Sequence, residues 1–299
     1  MDLKAPISID EQLEKLKAQG MIITNDAETK KMLSEINYYR FTGYALRHRI
    51  QPDKSNYVSG TTFDEIYSIY MLDEAIRNIL RKYIERVEVY YRTLIAHNYA
   101  LAKCIDPPHD QHYDENNFYN KTGYQQVMES FKKEKNYYKD SLIVKHHKLK
   151  YNNRMPLWVI VELISFSNTS KLYNSMYESE RNLIASKAGT GGETLVNHLH
   201  CLSVLRNKCA HAARLYDTTF YPPAKFTTKY LKSHPELNNK TLFAYILVLL
   251  RRLPDIRYKQ KLADDIIYIA ELYARDIDLE AIGFPENYKS LLYSNINIS

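Results

Sequence analysis

Apolar residues recur at steps of three and four along almost the whole chain, the spacing that lines up one face of an α-helix. Only eight glycines and ten prolines punctuate the pattern, and no segment requires strands, so the sequence predicts an all-α fold. Ser8 with Glu11 forms a capping box, and Gly20 stands where a first helix would end. Asn25 with Glu28 opens a second helix that runs toward Tyr38. After a loop containing Pro52, Ser55, Asn56, Ser59 and Gly60, Thr62 and Glu65 form a third capping box. Behind it lies the longest periodic segment, Phe63 to about Lys103, with Ile66, Ile69, Ile76, Leu80, Tyr83, Val87, Leu94 and Ile95 as its buried stripe. Its other face carries Arg81 with Glu85 and Glu88 with Arg92 at i,i+4 spacing.

Beyond that segment, Asp106 to Asn117 is a loop, and Phe118 to Leu149 forms one or two lysine-rich helices. Pro156 opens a further helix that continues to Met176. Gly189, Gly191 and Gly192 break the chain before a helical stretch from Glu193 onward. Pro222 and Pro223 separate this from two last helices, Thr241 to Leu253 and Asp255 to Arg275, divided by Pro254. No repeat at solenoid periods is present. The chain divides into an N-terminal helical region, 1–60, and a helical domain, 61–299, that includes the C-terminal helices.

Three cysteines without CxxC spacing, Cys104, Cys201 and Cys209, indicate neither a disulfide framework nor a zinc ribbon and fit a reducing cytoplasm. The first residues lack a basic region followed by an apolar stretch, and the longest apolar run, Leu242 to Leu250, is too short to span a bilayer, so no membrane association is expected. Lysine and arginine number 41 against 35 acidic residues, a formal +6, which mildly favours an anionic partner. Tyrosine, with 27 residues, sharpens this. In the stretch Asn37 to Arg49, Tyr38, Tyr39, Arg40, Arg47 and Arg49 combine stacking faces with phosphate-seeking charge, which suits single-stranded RNA, although half-buried helical positions also enrich tyrosine.

The stretch Leu199 to Asp217 holds Arg206 and His211 with four residues between them. Metal-free RNA cleavage needs such a pair: an imidazole to take or give a proton, and a guanidinium to hold the phosphate as charge builds. On a regular helix five positions turn by about 140°, so the two converge only if the arginine wraps back, the helix is irregular there, or a second copy of the motif completes the site. Asn207, at i,i+4 from His211, is placed to hydrogen-bond the imidazole, and Arg214 is a candidate phosphate contact. Arg92 and His97 repeat the spacing on the long helix. Their first reading is structural, yet that helix could also pack on the motif helix and add charge to the same cleft. His198 and His200 point to opposite sides of a helix, and His109 with His112 lack a matching second pair. Neither a phosphate-cradling glycine loop nor an acidic cluster for two metals is present, so no cofactor and no metal is expected.

The segment LRNKCAHAARLYD (Leu205 to Asp217) resembles the signature of HEPN nucleases, helical domains whose Arg-x(4–6)-His motif cleaves RNA. The wider chain resembles Abi-like abortive-infection proteins of the AbiD/AbiF group, through Ile36 to Arg49, Phe63 to Thr93, Met155 to Phe166, the LRNKCAH core and Ile282 to Leu292; Tyr288 stands where the family pattern has tryptophan. The resemblance implies a HEPN-type helical bundle with an added N-terminal helical region. It also implies a ribonuclease toxin of phage defence, with Arg206, Asn207 and His211 as catalytic residues. The implied partners are an RNA substrate, a small non-coding RNA serving as antitoxin or guide, and a second copy of the chain. Two rivals remain: a non-catalytic RNA-binding or assembly protein, and an acceptor of nucleotidyl groups.

Overall fold

The computed structural model describes residues 3, 5–53, 55–274 and 277–298. Among them are fourteen α-helices and no β-sheet, only the isolated bridges Ile22 to Thr62 and Arg49 to Tyr57. In chain order the helices are α1 (Ile9–Ala18), α2 (Asp26–Glu35), α3 (Tyr38–Tyr44), α4 (Phe63–Lys103), α5 (Lys121–Tyr137), α6 (Leu142–Lys150) and α7 (Leu157–Leu163). There follow α8 (Phe166–Ser175), α9 (Glu178–Lys187), α10 (Gly192–Ala210), α11 (Thr228–Ser233), α12 (Leu242–Arg252), α13 (Ile256–Tyr273) and α14 (Tyr288–Asn295).

Side-chain capping sets most of these boundaries. The Ser8–Glu11 box forms reciprocally, and Gly20 takes φ 89°, a left-handed turn that a side chain would strain. Asn25 caps α2 and Thr62 caps α4, each accepting from the backbone N–H three residues on. The second helix stops at Glu35 instead of running to Tyr38, because Ile36 is extended and Asn37 caps a separate α3. The helix expected from Pro156 to Met176 is likewise two. Ser165 accepts from the Asn168 N–H and starts α8, while the extended Ile164 ends α7. The last expected helix ends at Tyr273; Arg275 lies outside the described residues.

Helix α4 is an unbroken rod of 41 residues, about 60 Å at ~1.5 Å per residue. Helices α3, α7, α8, α9, α10, α12 and α13 all pack along it. Every predicted residue of its stripe is buried except Leu94, which is half-buried. Helix α12 is buried on all sides, which explains the apolar run Leu242 to Leu250: it fills the core between α10, α13, α14 and α4. No helix among the described residues is long and apolar enough to cross a membrane.

Candidate functional site

Leu195, His198, Leu199, Leu202, Leu205 and Cys209 turn inward on α10, which leaves Asn207 exposed and Arg206 half-exposed on its outer side. The helix ends at Ala210. The Ala213 N–H donates to the Lys208 carbonyl (2.8 Å) and the Ala212 N–H to that of Cys209 (3.4 Å), the paired bonds of a Schellman turn. Ala212, at φ 50°, occupies the left-handed position usually given to glycine. His211 is therefore the C-cap, exposed to solvent: its N–H still closes the bond to the Asn207 carbonyl, and the chain turns away from the helix only after it.

Carbonyls at a helix C-terminus carry partial negative charge, and here arginines from two other helices meet them. From α4, Arg81 donates through Nε to the Cys209 carbonyl (3.0 Å) and Arg77 through Nη1 to that of Ala213 (3.4 Å). From α3, Arg40 donates to the Ala212 carbonyl. Arg81 thus turns to the motif helix and not to Glu85. Beneath the turn, the buried Asp73 carboxylate accepts from the Tyr44 hydroxyl (2.7 Å), the Leu215 N–H (3.1 Å), the Tyr216 N–H (2.8 Å) and Arg77. This network fastens the segment after His211 to α4. The neighbouring Cys209 thiol is pushed up to about 12 by burial, as is Cys201, so both are packing groups and not nucleophiles.

One turn back along α10, Arg206 Nε donates to Glu88 Oε2 (3.3 Å), and the other oxygen of the same carboxylate accepts from Arg92 Nη2 (2.6 Å). The arginines of the two Arg-x4-His pairs are therefore joined through one glutamate, where α4 and α10 cross. Arg92 is buried, with Nη1 enclosed and unpartnered, whereas His97 is exposed. Asn207 does not hydrogen-bond the His211 ring: its amide donates to Ser167 Oγ (3.1 Å) on α8, and only its backbone carbonyl meets His211, through the His211 N–H (3.0 Å).

The arginines and tyrosines expected to grip RNA divide. Tyr39, which is strongly exposed, joins Arg40, Arg49 and Arg214 around a cleft of about 480 Å³ beside the Ala212–Arg214 turn. Arg214 is tied to the Gly43 carbonyl. Arg49 is buried, donating to the Ser55 carbonyl (2.8 Å) and the Tyr57 hydroxyl (2.6 Å), so it holds the N-terminal loop and is not a free phosphate contact. Tyr38 lies half-buried under Lys15, and Arg47 pairs with Asp278 at 3.2 Å. His198 is buried, with its pKa lowered to about 3 by desolvation and nearby arginines, and donates through Nε2 to the Lys225 carbonyl (2.8 Å); His200 is exposed, as the helical spacing requires. His109 and His112 share a cleft with His146 and His147, but both ring nitrogens of His112 are engaged, by Cys104 and by the Met155 carbonyl. Among the described residues no three His, Cys, Asp or Glu side chains converge as metal ligands.

The model of the Abi-like protein family matches residues 31–217, from α2 through the turn that carries His211. The chain belongs to the Abi-like family. No curated protein and no solved structure matches it. Two residues of this Abi-like protein gain importance only in three dimensions. Glu88 looked like half of an ordinary helical ion pair, and a signal was its i,i+4 spacing to the arginine of the second pair. Trp158, the one tryptophan in the sequence, stands 57% exposed in a chain whose other large aromatic residues are mostly buried or half-buried.

Proposed function

We propose that this Abi-like protein is a metal-independent RNA endonuclease of the HEPN type, within the AbiD/AbiF group. It acts in the cytoplasm as an abortive-infection effector, works as a homodimer and is restrained or guided by a bound small RNA. Family membership supports the abortive-infection role. The observation that carries the chemistry is the end of α10, where an exposed imidazole stands five residues from a half-exposed arginine, on a surface to which Arg40 and Arg81 add positive charge.

In this reaction the 2′-oxygen attacks phosphorus and the bond to the 5′-oxygen breaks. An imidazole takes the 2′-proton, an acid returns one to the leaving 5′-oxygen, and arginine holds the charge that builds on the phosphoryl oxygens. The products are a 2′,3′-cyclic phosphate and a 5′-hydroxyl. One imidazole cannot serve as base and acid in the same step. Because the motif lies on the outer surface, a second copy can bring a second His211 and Arg206 to the same phosphate.

His211→Ala should lower the cleavage rate by ~10²–10⁴-fold while RNA binding survives, since affinity rests on many lysines and arginines. Arg206→Ala should also abolish cleavage and weaken binding modestly. Activity should persist in EDTA. Cleavage by His211→Ala at the wild-type rate, or 5′-phosphate ends, would refute the mechanism. RNA binding without any cleavage, after removal of co-purified RNA, would instead favour a non-catalytic RNA-binding protein, in which the Arg206–Glu88 contact is structural.

A further inference from the structure

Trp158 projects from α7 between two clefts. On one side, a cleft of about 420 Å³ is lined by His109, His146, His147, Tyr151 and Arg154 together with Trp158. On the other, a cleft of about 240 Å³ is lined by Arg92, His97 and Glu162 together with the same tryptophan. Tyr151 is also half exposed, at 50%, and Arg154, ion-paired with Asp110 in the same cleft, keeps 60% of its side chain in solvent. Exposed aromatic faces flanked by cationic and hydrogen-bonding side chains match the requirements of an unpaired nucleobase and its phosphates.

A second observation ties this place to the motif. Arg92 is more than nine-tenths buried, lines the smaller cleft, and has its Nη1 without a partner, a costly state for a buried guanidinium. Its Nη2 shares Glu88 with Arg206. A continuous series of side chains therefore leads from the tryptophan, along α4, to the motif arginine.

We propose that Trp158 and its two clefts form a subsite for one unstacked nucleotide of a single-stranded RNA whose chain continues past Arg92 to Arg206. The base stacks on the indole, and Arg92 and Arg154 offer charge to the adjoining phosphates. The subsite deepens the ribonuclease proposal, and it can fail independently of it.

The test uses the full-length His211→Ala protein, freed of nucleic acid, and a short oligouridylate. Because Trp158 is the only tryptophan, excitation at the red edge of its absorption reports this position alone, without the 27 tyrosines. Saturable quenching that follows the binding curve from anisotropy of the labelled oligonucleotide is expected. Trp158→Ala should weaken binding on the order of tenfold and Trp158→Phe by less, with unchanged thermal melts. Binding by anisotropy with unaltered tryptophan emission would overturn the subsite and leave the nuclease proposal standing. Quenching together with an absence of cleavage in the wild type would support the subsite while the nuclease proposal fails. Equal affinity for uridine monophosphate would overturn assignment to an RNA chain, and absence of RNA binding by either signal would overturn the subsite altogether.

Discussion

Asp73 offers the sharpest test of how the fold holds the motif. Replacing it with alanine strands three neutral donors, the Tyr44 hydroxyl and the Leu215 and Tyr216 N–H groups, together with the Arg77 guanidinium, which is 2% exposed. A buried donor left unpaired costs ~1–3 kcal/mol, and removing one partner of a buried ion pair costs ~3–5 kcal/mol. These terms overlap, because Arg77 can still reach the Tyr44 hydroxyl (3.3 Å) and the Ala213 carbonyl (3.4 Å). A net loss of about 4–5 kcal/mol is expected, a large part of the ~5–15 kcal/mol that holds a typical folded protein. At ~2–4 °C per kcal/mol the melting temperature should fall by on the order of 10 °C. Asparagine should fare little better, since Oδ1 and Oδ2 both face donors and its amide NH₂ must meet one set. Circular dichroism melts of Asp73→Ala, Arg77→Met and the double variant provide the assay. Once the carboxylate is gone, removing the orphaned cation should raise stability, so the double variant should melt above Asp73→Ala. A single variant that melts within about 3 °C of wild type, or a double variant less stable than it, would refute the reasoning.

Ala212→Gly should stabilise the protein by about 0.5–1 kcal/mol, the ~1–2 kcal/mol of left-handed strain less the entropy glycine adds to the unfolded chain; a lower urea midpoint would contradict this. His198 is held neutral in the fold, with its pKa lowered to about 3, so its contribution is complete above the ordinary histidine value of ~6.5 and is lost as pH falls toward 3, by at most ~1.4 kcal/mol per pH unit. His198→Gln should flatten the pH dependence of unfolding across that window, and an unchanged slope would exclude this cause. Glu88→Gln removes an anion that competes with RNA phosphate for Arg206 and Arg92. RNA affinity should rise and its salt dependence steepen by about one charge, whereas weaker binding would show that the carboxylate positions Arg206.

The long helix was legible to the residue, because a three-and-four periodicity sustained between a capping threonine and the Asp106 loop leaves little freedom. Among shorter elements, α1 and α12 were equally legible from their capping residues, but others were not. Helices α9, α11 and α14 carry few apolar positions or lie near proline and glycine, and tertiary packing, more than local pattern, makes them helical. Arg206 and His211 were singled out through the family resemblance, since their spacing recurs at Arg92 and His97, but the turn after them was hidden: a Schellman ending with alanine at the left-handed position lacks the glycine that usually announces it. Neither could a linear pattern show that Glu88 answers to α10 as well as to Arg92, because that contact joins residues 118 positions apart.

Helix α4 also sets a length. Glu88, which meets Arg206, and His97, which faces the Trp158 cleft, stand nine residues apart on the same rod, about 14 Å at ~1.5 Å per residue. At ~3.4 Å per nucleotide, the rise of one strand in a duplex, this is the span of at most about four nucleotides, and of fewer where the strand is unstacked. For the proposed nuclease the rod is thus a ruler: an oligonucleotide shorter than that span cannot engage both ends, and the scissile phosphate lies at a constant offset from the base held by the indole.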